Sequence, residues 1–200
     1  MACPTKTELR AEILAARRAL AAHLHDAEAH ALCGHLEVIP GGETVCAYVP
    51  VGSEPGSLEL IDALMRRGMR VLLPVTRHDT AGIPMPLRWG EYRPGGLVEG
   101  RFGLREPAAP WLPADAIASA VVVLVPALAV DRDGVRLGRG AGFYDRSLPL
   151  ADPSAQLVAV VRDDELLDSI PAEPHDVRMT HALTPQRGFI GLNEQDKPRE

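Results

Sequence analysis

Cysteine is scarce: Cys3, Cys33 and Cys46 are the only three in 200 residues, and they are scattered. That excludes a disulfide framework and a CxxC zinc site, and it suits a reducing cytosolic compartment. Long apolar runs are missing as well. The longest, from Ile117 to Val130, is interrupted by Ser119 and Pro126. It falls short of the roughly 20 residues a membrane helix needs and reads as a buried strand followed by a loop. The opening MACPTKTELR has no apolar core of the signal-peptide kind. Positive charge is in deficit, with 21 Lys and Arg against 27 Asp and Glu and a net charge of −6. A chain-wide footprint for nucleic acid or an acidic membrane is thereby excluded, and any basic site must be local. His23, His25, His30 and His35 include no pair three or four apart, so none shares a helix face as metal ligands would. No internal repeat is visible.

What is present is globular in composition, at 46% apolar and 24% charged residues. The length suits a single domain, which buries enough surface to need no metal or disulfide staple. Eighteen Gly and eighteen Pro announce many turns. Residues 5–33 read as one long helix. Thr5 and Glu8 have capping-box spacing, and Leu9, Ile13, Leu20 and Leu24 mark a buried face. Lys6, Arg10 and Arg17 fall within about 40° of one another at the border of that face. They read equally as solvated cations over the core edge or as a basic stripe with a ligand.

Val45 to Val51 is predicted as a strand and is followed by a loop carrying Ser53, Glu54 and Ser57. Leu58 to Arg67 is an amphipathic helix closed by Gly68, and Met69 to Val75 is the next strand. Strand, helix and strand make a βαβ unit and favour a parallel pair. Residues 77–115 are rich in Pro and Gly and hold Trp89, Tyr92, Phe102 and Trp111. They read either as an irregular stretch anchored by aromatics or as a flap lining a flat pocket. Ala120 to Val125 suits a central strand buried on both faces. A turn follows at 131–134, then a glycine-rich loop with a helix beginning near Phe143. Beyond it come a strand over 156–162, a short helix over 163–170 and a strand over 177–183. Residues 186–200 form a polar tail that is expected to fray.

The glycine-rich segment carries the chemistry. Gly138, Gly140 and Gly142 alternate between a strand and a helix, where missing Cβ atoms let backbone N–H groups approach phosphate. Arg136 and Arg139 add fixed charge in a fork geometry, and Asp145 offers a hard oxygen for Mg²⁺. Neither GxGxxG nor GxxxxGK[ST] occurs here. The segment reads as a polyphosphate cradle, with a tight strand-to-helix turn as the bland alternative.

Asp131 to Asp145, DRDGVRLGRGAGFYD, resembles the signature of the 5-formyltetrahydrofolate cyclo-ligase family, also called methenyltetrahydrofolate synthetases. Pro126, Leu128, Asp131, Arg136, Leu137, Gly138, Gly140, Gly142, Tyr144 and Asp145 match its pattern. Lys6-x-x-Leu9-Arg10 resembles the family's opening helix, Glu54 its acid behind the first strand, and PAEPHD at 171–176 its late motif. These anchors come in the family's order and cover nearly the whole chain.

The resemblance implies a single α/β domain over residues 1–200. It would have three layers of the NagB-like type, a mostly parallel sheet with helices on both faces. Ligands are expected at the carboxyl ends of the strands. It implies conversion of 5-formyltetrahydrofolate to 5,10-methenyltetrahydrofolate with ATP and Mg²⁺, giving ADP and phosphate. By the same resemblance, Arg139 and Arg136 are catalytic. ATP would meet Lys6, Arg10, Arg136, Gly138, Arg139, Gly140, Ala141, Gly142, Phe143 and Tyr144. The folate would meet Val49, Glu54, Met85, Phe102 and Arg139, and Mg²⁺ would meet Asp145 and Asp176. A cytoplasmic monomer acting on folate, with or without a polyglutamate tail, is implied, with no nucleic acid or membrane partner. Ala141 stands where relatives often have Gly or Lys, and Phe143 where Tyr is usual. A paralogue that keeps the nucleotide site but not the reaction is one alternative. An α/β protein acting on sugar phosphates or CoA esters is another.

Overall fold

The computed structural model describes residues 4–100, 103–174 and 176–192. Its elements are α1 (Lys6–Ala19), α2 (Ala22–Gly34), β1 (Thr44–Cys46), α3 (Leu58–Arg66), β2 (Arg70–Val75), β3 (Arg88–Glu91), β4 (Leu97–Glu99), β5 (Arg105–Pro107), β6 (Val122–Pro126), β7 (Ala129–Asp131), β8 (Arg136–Leu137), α4 (Phe143–Ser147), β9 (Gln156–Val160), β10 (Leu166–Leu167), β11 (His181–Thr184) and β12 (Gly188–Gly191). A seven-stranded sheet runs β12-β11-β9-β6-β1-β2-β3. The pairs from β11 through β2 are parallel, and β12 and β3 are antiparallel edges.

The apolar runs are strands because both of their faces find cover. Val45, Val71, Leu73, Leu124, Val158 and Val160 pack on one side against Leu32 of α2 and Leu60, Ile61 and Leu64 of α3. Their alternating neighbours Cys46, Leu72, Val123, Val125 and Ala159 pack on the other side against Ile117 and Leu148. Period-2 side-chain alternation thus feeds two cores from one sheet and makes the fold a three-layer α/β structure. A third cluster seats Leu9 of α1 on Leu128, Val135 and Leu137, fixing α1 against the β7–β8 hairpin. No described helix is long and apolar enough to cross a membrane.

Several expectations are corrected. The long helix over 5–33 is two helices: Leu20 is extended at ψ 130°, Ala21 caps α2 at ψ 142°, and Leu24 is exposed. The break turns α2 so that Ala29 and Leu32, rather than Leu24, face the core. The capping box at Thr5 and Glu8 is present. The 45–51 strand leaves the ladder after the Ala47 N–H bonds the Leu72 carbonyl, freeing residues 48–51. The helix expected over 163–170 is a 3-10 turn at Asp163–Glu165 followed by β10, which pairs with β7. Of the tail expected to fray over 186–200, Gly188–Gly191 instead forms edge strand β12, because Phe189 and Ile190 pair across with Leu183 and Ala182, and residues 193–200 lie outside the described residues. In the 77–115 stretch, Trp89 and Tyr92 are buried anchors.

Candidate functional site

The glycine loop leaves β8 and enters α4. Gly140 and Gly142 have φ of +94° and +77°, a left-handed geometry that favours glycine. At Gly138 a Cβ would lie 2.6 Å from Arg136 Nη1, so its absence lets the guanidinium fold back over the loop. Arg136 Nη2 donates to Asp145 Oδ1 at 2.6 Å, and the guanidinium lies 5.7 Å from the Tyr144 ring centre. One arginine therefore organises both ends of the cradle.

The basic stripe of α1 turns inward. Arg10 Nε donates to the Gly138 carbonyl at 2.9 Å and braces the loop from behind. Lys6 Nζ lies 3.0 Å from Asp176 Oδ2 and 3.2 Å from Glu173. The Glu173 N–H donates to the same Asp176 oxygen at 2.8 Å. Arg17, read as an edge cation, is 4% exposed and forks onto Glu165 with two bonds of 2.6 Å. Its Nη2 also donates to the Ala127 carbonyl at 2.7 Å.

The facing wall comes from residues that follow β1. Glu54 is buried, and its Oε2 accepts the Val51 N–H at 2.9 Å. Its Oε1 lies 3.0 Å from Arg139 Nε, while Arg139 Nη2 donates to the Val51 carbonyl at 3.3 Å. Burial pushes the Glu54 carboxyl above its ordinary range, against the smaller lowering by the Val51 N–H and Arg139. Tyr48 donates its hydroxyl to the Pro55 carbonyl at 2.6 Å. Burial raises both Tyr48 and Tyr144, so both hydroxyls stay protonated donors. The Tyr144 hydroxyl is buried and has no hydrogen-bond partner, an unmet donor beside the cavity.

Between the walls lies a cavity of about 550 Å³ at the carboxyl ends of the strands. Val49, Glu54, Arg136, Gly138, Arg139, Gly140, Ala141, Gly142, Phe143, Tyr144 and Asp145 all line it. Lys6, Arg10 and Asp176 do not: Arg10 holds the Gly138 carbonyl, and Lys6 and Asp176 pair with each other. Met85 does not line it either, being exposed, while Pro84 and Leu87 do. Phe102 lies outside the described residues.

Sequence reasoning missed Tyr48, Thr76 and His78, which also line the cavity. Thr76 is fixed by Glu106, whose Oε1 accepts its N–H at 2.7 Å and its hydroxyl at 2.6 Å. Nothing periodic in the Pro-rich stretch marks Glu106 as a buried acid. Tyr48 had a signal: it neighbours Val49 in the apolar run that ends the strand. His78 meets Phe143 edge to face, with ring centres 5.2 Å apart.

For Mg²⁺ the donors on offer are carboxylate oxygens of Asp145, with its side chain 41% exposed, and Asp176. No group of three or more His, Cys, Asp or Glu among the described residues could cage an ion alone. Asp145 lines the cavity with one oxygen on Arg136, whereas Asp176 lies outside the lining with one oxygen on Lys6 and the Glu173 N–H, so Asp145 is the carboxylate that suits an ion bound mostly through phosphate oxygens and water.

The chain matches the family model of the 5-formyltetrahydrofolate cyclo-ligase family over residues 2–185. It is 63% identical over 189 residues to the 5-formyltetrahydrofolate cyclo-ligase of Mycolicibacterium smegmatis, covering 94% of this chain and 97% of that one. The Escherichia coli K12 cyclo-ligase is 32% identical over 146 residues, covering 72% of this chain and 79% of its own. Among solved structures, Aquifex aeolicus 5,10-methenyltetrahydrofolate synthetase superposes with a TM-score of 0.76 at 21% identity. That match covers 98% of this chain and 96% of the other.

Proposed function

The chain belongs to the 5-formyltetrahydrofolate cyclo-ligase family, and from that premise we propose that it converts 5-formyltetrahydrofolate to 5,10-methenyltetrahydrofolate, consuming ATP and releasing ADP and phosphate. The formyl oxygen is a poor leaving group. It takes the γ-phosphoryl group of ATP, N10 attacks the activated carbon and loses its proton, and phosphate departs. Such chemistry needs positioning and charge neutralisation more than covalent help.

The residues divide by wall. Arg136 and Arg139 grip phosphate oxygens and meet the charge that develops during transfer. The loop from Gly138 to Tyr144 offers backbone N–H groups to the same phosphates. Arg10 holds that loop in shape through the Gly138 carbonyl, and Lys6 holds Asp176 through an ion pair. Asp145 and Asp176 would hold Mg²⁺, which supplies neutralisation of phosphate charge when bound. On the other wall, Glu54 binds the folate and Val49 lines its pocket.

The observation that carries this function is the Arg139–Glu54 pair at 3.0 Å. It places a side chain of the cradle against a side chain of the opposite wall, so ligands on the two walls lie within reach of each other. The test is the near-ultraviolet absorbance of the methenyl product with 5-formyltetrahydrofolate, ATP and Mg²⁺, and with each left out in turn. A rise that needs all three is expected. ATP binding without any rise would favour the paralogue and direct attention to Ala141 and Phe143.

A further inference from the structure

Asp131 is a buried carboxylate, 1% exposed, that lies outside the cavity lining. Its Oδ1 accepts the N–H of Asp133 at 3.0 Å and of Val135 at 2.8 Å. Its Oδ2 accepts the N–H of Ile170 at 2.8 Å. The first two bonds close the turn between β7 and β8, whose next residue is Arg136. The third ties down the start of the segment that leads to Asp176. Two backbone bonds complete the clasp: the Gly134 N–H donates to the Asp131 carbonyl at 3.0 Å, and the Met179 N–H to the Gly134 carbonyl at 2.8 Å. Arg178 Nη1 adds a bond to the Asp133 carbonyl at 3.3 Å.

We propose that Asp131 is a positioning residue for the nucleotide half of the site: its carboxylate holds the segments carrying Arg136 and Asp176 in a single mutual geometry. A carboxylate suits this place because it offers two acceptor oxygens and no donor to three N–H groups on two segments. The folate wall meets the glycine loop through Arg139, which pairs with Glu54 and bonds the Val51 carbonyl, and it has holds of its own. That wall is held by the Val51 N–H on Glu54 and by the Tyr48 hydroxyl on the Pro55 carbonyl. Loosening Asp131 therefore acts on one ligand and spares the other. The inference rests on the proposed function, since it takes Arg136 and Asp176 as the residues that face nucleotide and Mg²⁺.

The test is Asp131→Asn, which matches the carboxylate in shape but turns one acceptor into a donor, so either the two turn bonds or the Ile170 bond is lost, according to how the amide sits. Calorimetric titration of the wild type and the variant with MgADP, and separately with 5-formyltetrahydrofolate, reads binding without turnover. We expect MgADP to bind about tenfold more weakly, as for partners that orient a ligating shell. Folate affinity stays within about twofold, inside the usual effect of a distant substitution. If the Asn variant does not fold by circular dichroism, Asp131→Ser keeps an acceptor for the turn, gives up the Ile170 tether and is expected to show the same split. A folded variant that binds both ligands as the wild type does, or loses both equally, overturns the inference. A wild type that binds neither ligand overturns the proposed function itself.

Discussion

Arg139 on the glycine loop and Glu54 behind β1 meet at 3.0 Å, so two segments 85 residues apart in sequence share one ion pair across the cavity. The Arg139 side chain is 45% exposed, and its other bond is to the Val51 carbonyl. Its removal leaves both apolar cores intact. Arg139→Ala is expected to lower kcat by about 100-fold or more, the scale of losing one charge-stabilising donor. The variant should still fold, with a modest drop in melting temperature because the buried Glu54 loses its cation and keeps only the Val51 N–H. Near-normal turnover in the folded variant would remove Arg139 from the mechanism.

Glu54 gives a pH dependence with a definite sign. Burial raises its carboxyl in the folded state, whereas the unfolded chain titrates near the ordinary value of about 4.3. The folded state thus holds the proton more tightly. The stability this contributes is complete below the unfolded value and is lost as pH rises through the raised folded value. Glu54→Gln has no such titration. Denaturant unfolding of both proteins across acidic to neutral pH should show wild type minus variant falling as pH rises, then levelling. A difference that grows with pH would mean that Arg139 and the Val51 N–H outweigh burial.

Gly90 in β3 has no space for a methyl group. A Cβ there would lie 2.5 Å from Pro107 Cβ and 2.8 Å from its Cγ. The proline ring has little freedom to retreat, so Gly90→Ala should cost about 1–3 kcal/mol by overpacking. Urea titration would show a lower midpoint with an unchanged slope. An unchanged midpoint would mean that β5 can move away from β3.

Arg17 and Glu165 form a buried pair with side chains only 1% and 5% exposed. Arg17→Met leaves an unpaired buried carboxylate and should cost about 3–5 kcal/mol. Arg17→Met combined with Glu165→Met should recover part of that loss. Recovery stays incomplete because Glu165 also accepts the Arg162 N–H at 2.8 Å. Additive losses in the double-mutant cycle would mean that the pair is not coupled.

The parallel sheet was legible because the runs at 69–75, 120–125 and 156–162 are apolar on both faces, which only a sheet covered on two sides requires. The cradle was legible because glycine alternation and arginine spacing are local properties. What could not be read depended on distance. Leu24 has helical spacing with Leu20, but nothing nearby signals that the backbone extends at Leu20 and Ala21. Arg17 is as basic as its neighbours, and only a glutamate 148 residues away makes it a core residue. The short segment at 163–170 carried helical spacing, yet Leu166 and Leu167 have a strand partner in β7. Met85 sits next to Pro84 in sequence, yet only Pro84 reaches the cavity while Met85 faces solvent, a difference that no local pattern announces.

The braces of the nucleotide wall span much of the polypeptide: Arg10 reaches a carbonyl 128 residues onward, and Lys6 a carboxylate 170 residues onward. During synthesis, the β1–α3–β2 unit can pair soon after it leaves the ribosome, because its contacts are local. The wall has to wait until Asp176 has emerged. Helix α1 therefore spends most of translation without its destination, carrying the exposed apolar face of Leu9 and Ile13. Contacts of such range are the slow ones in folding, and unfilled apolar surface is what chaperones bind. The nascent chain is thus most exposed to misassembly before it has the capacity to hold nucleotide.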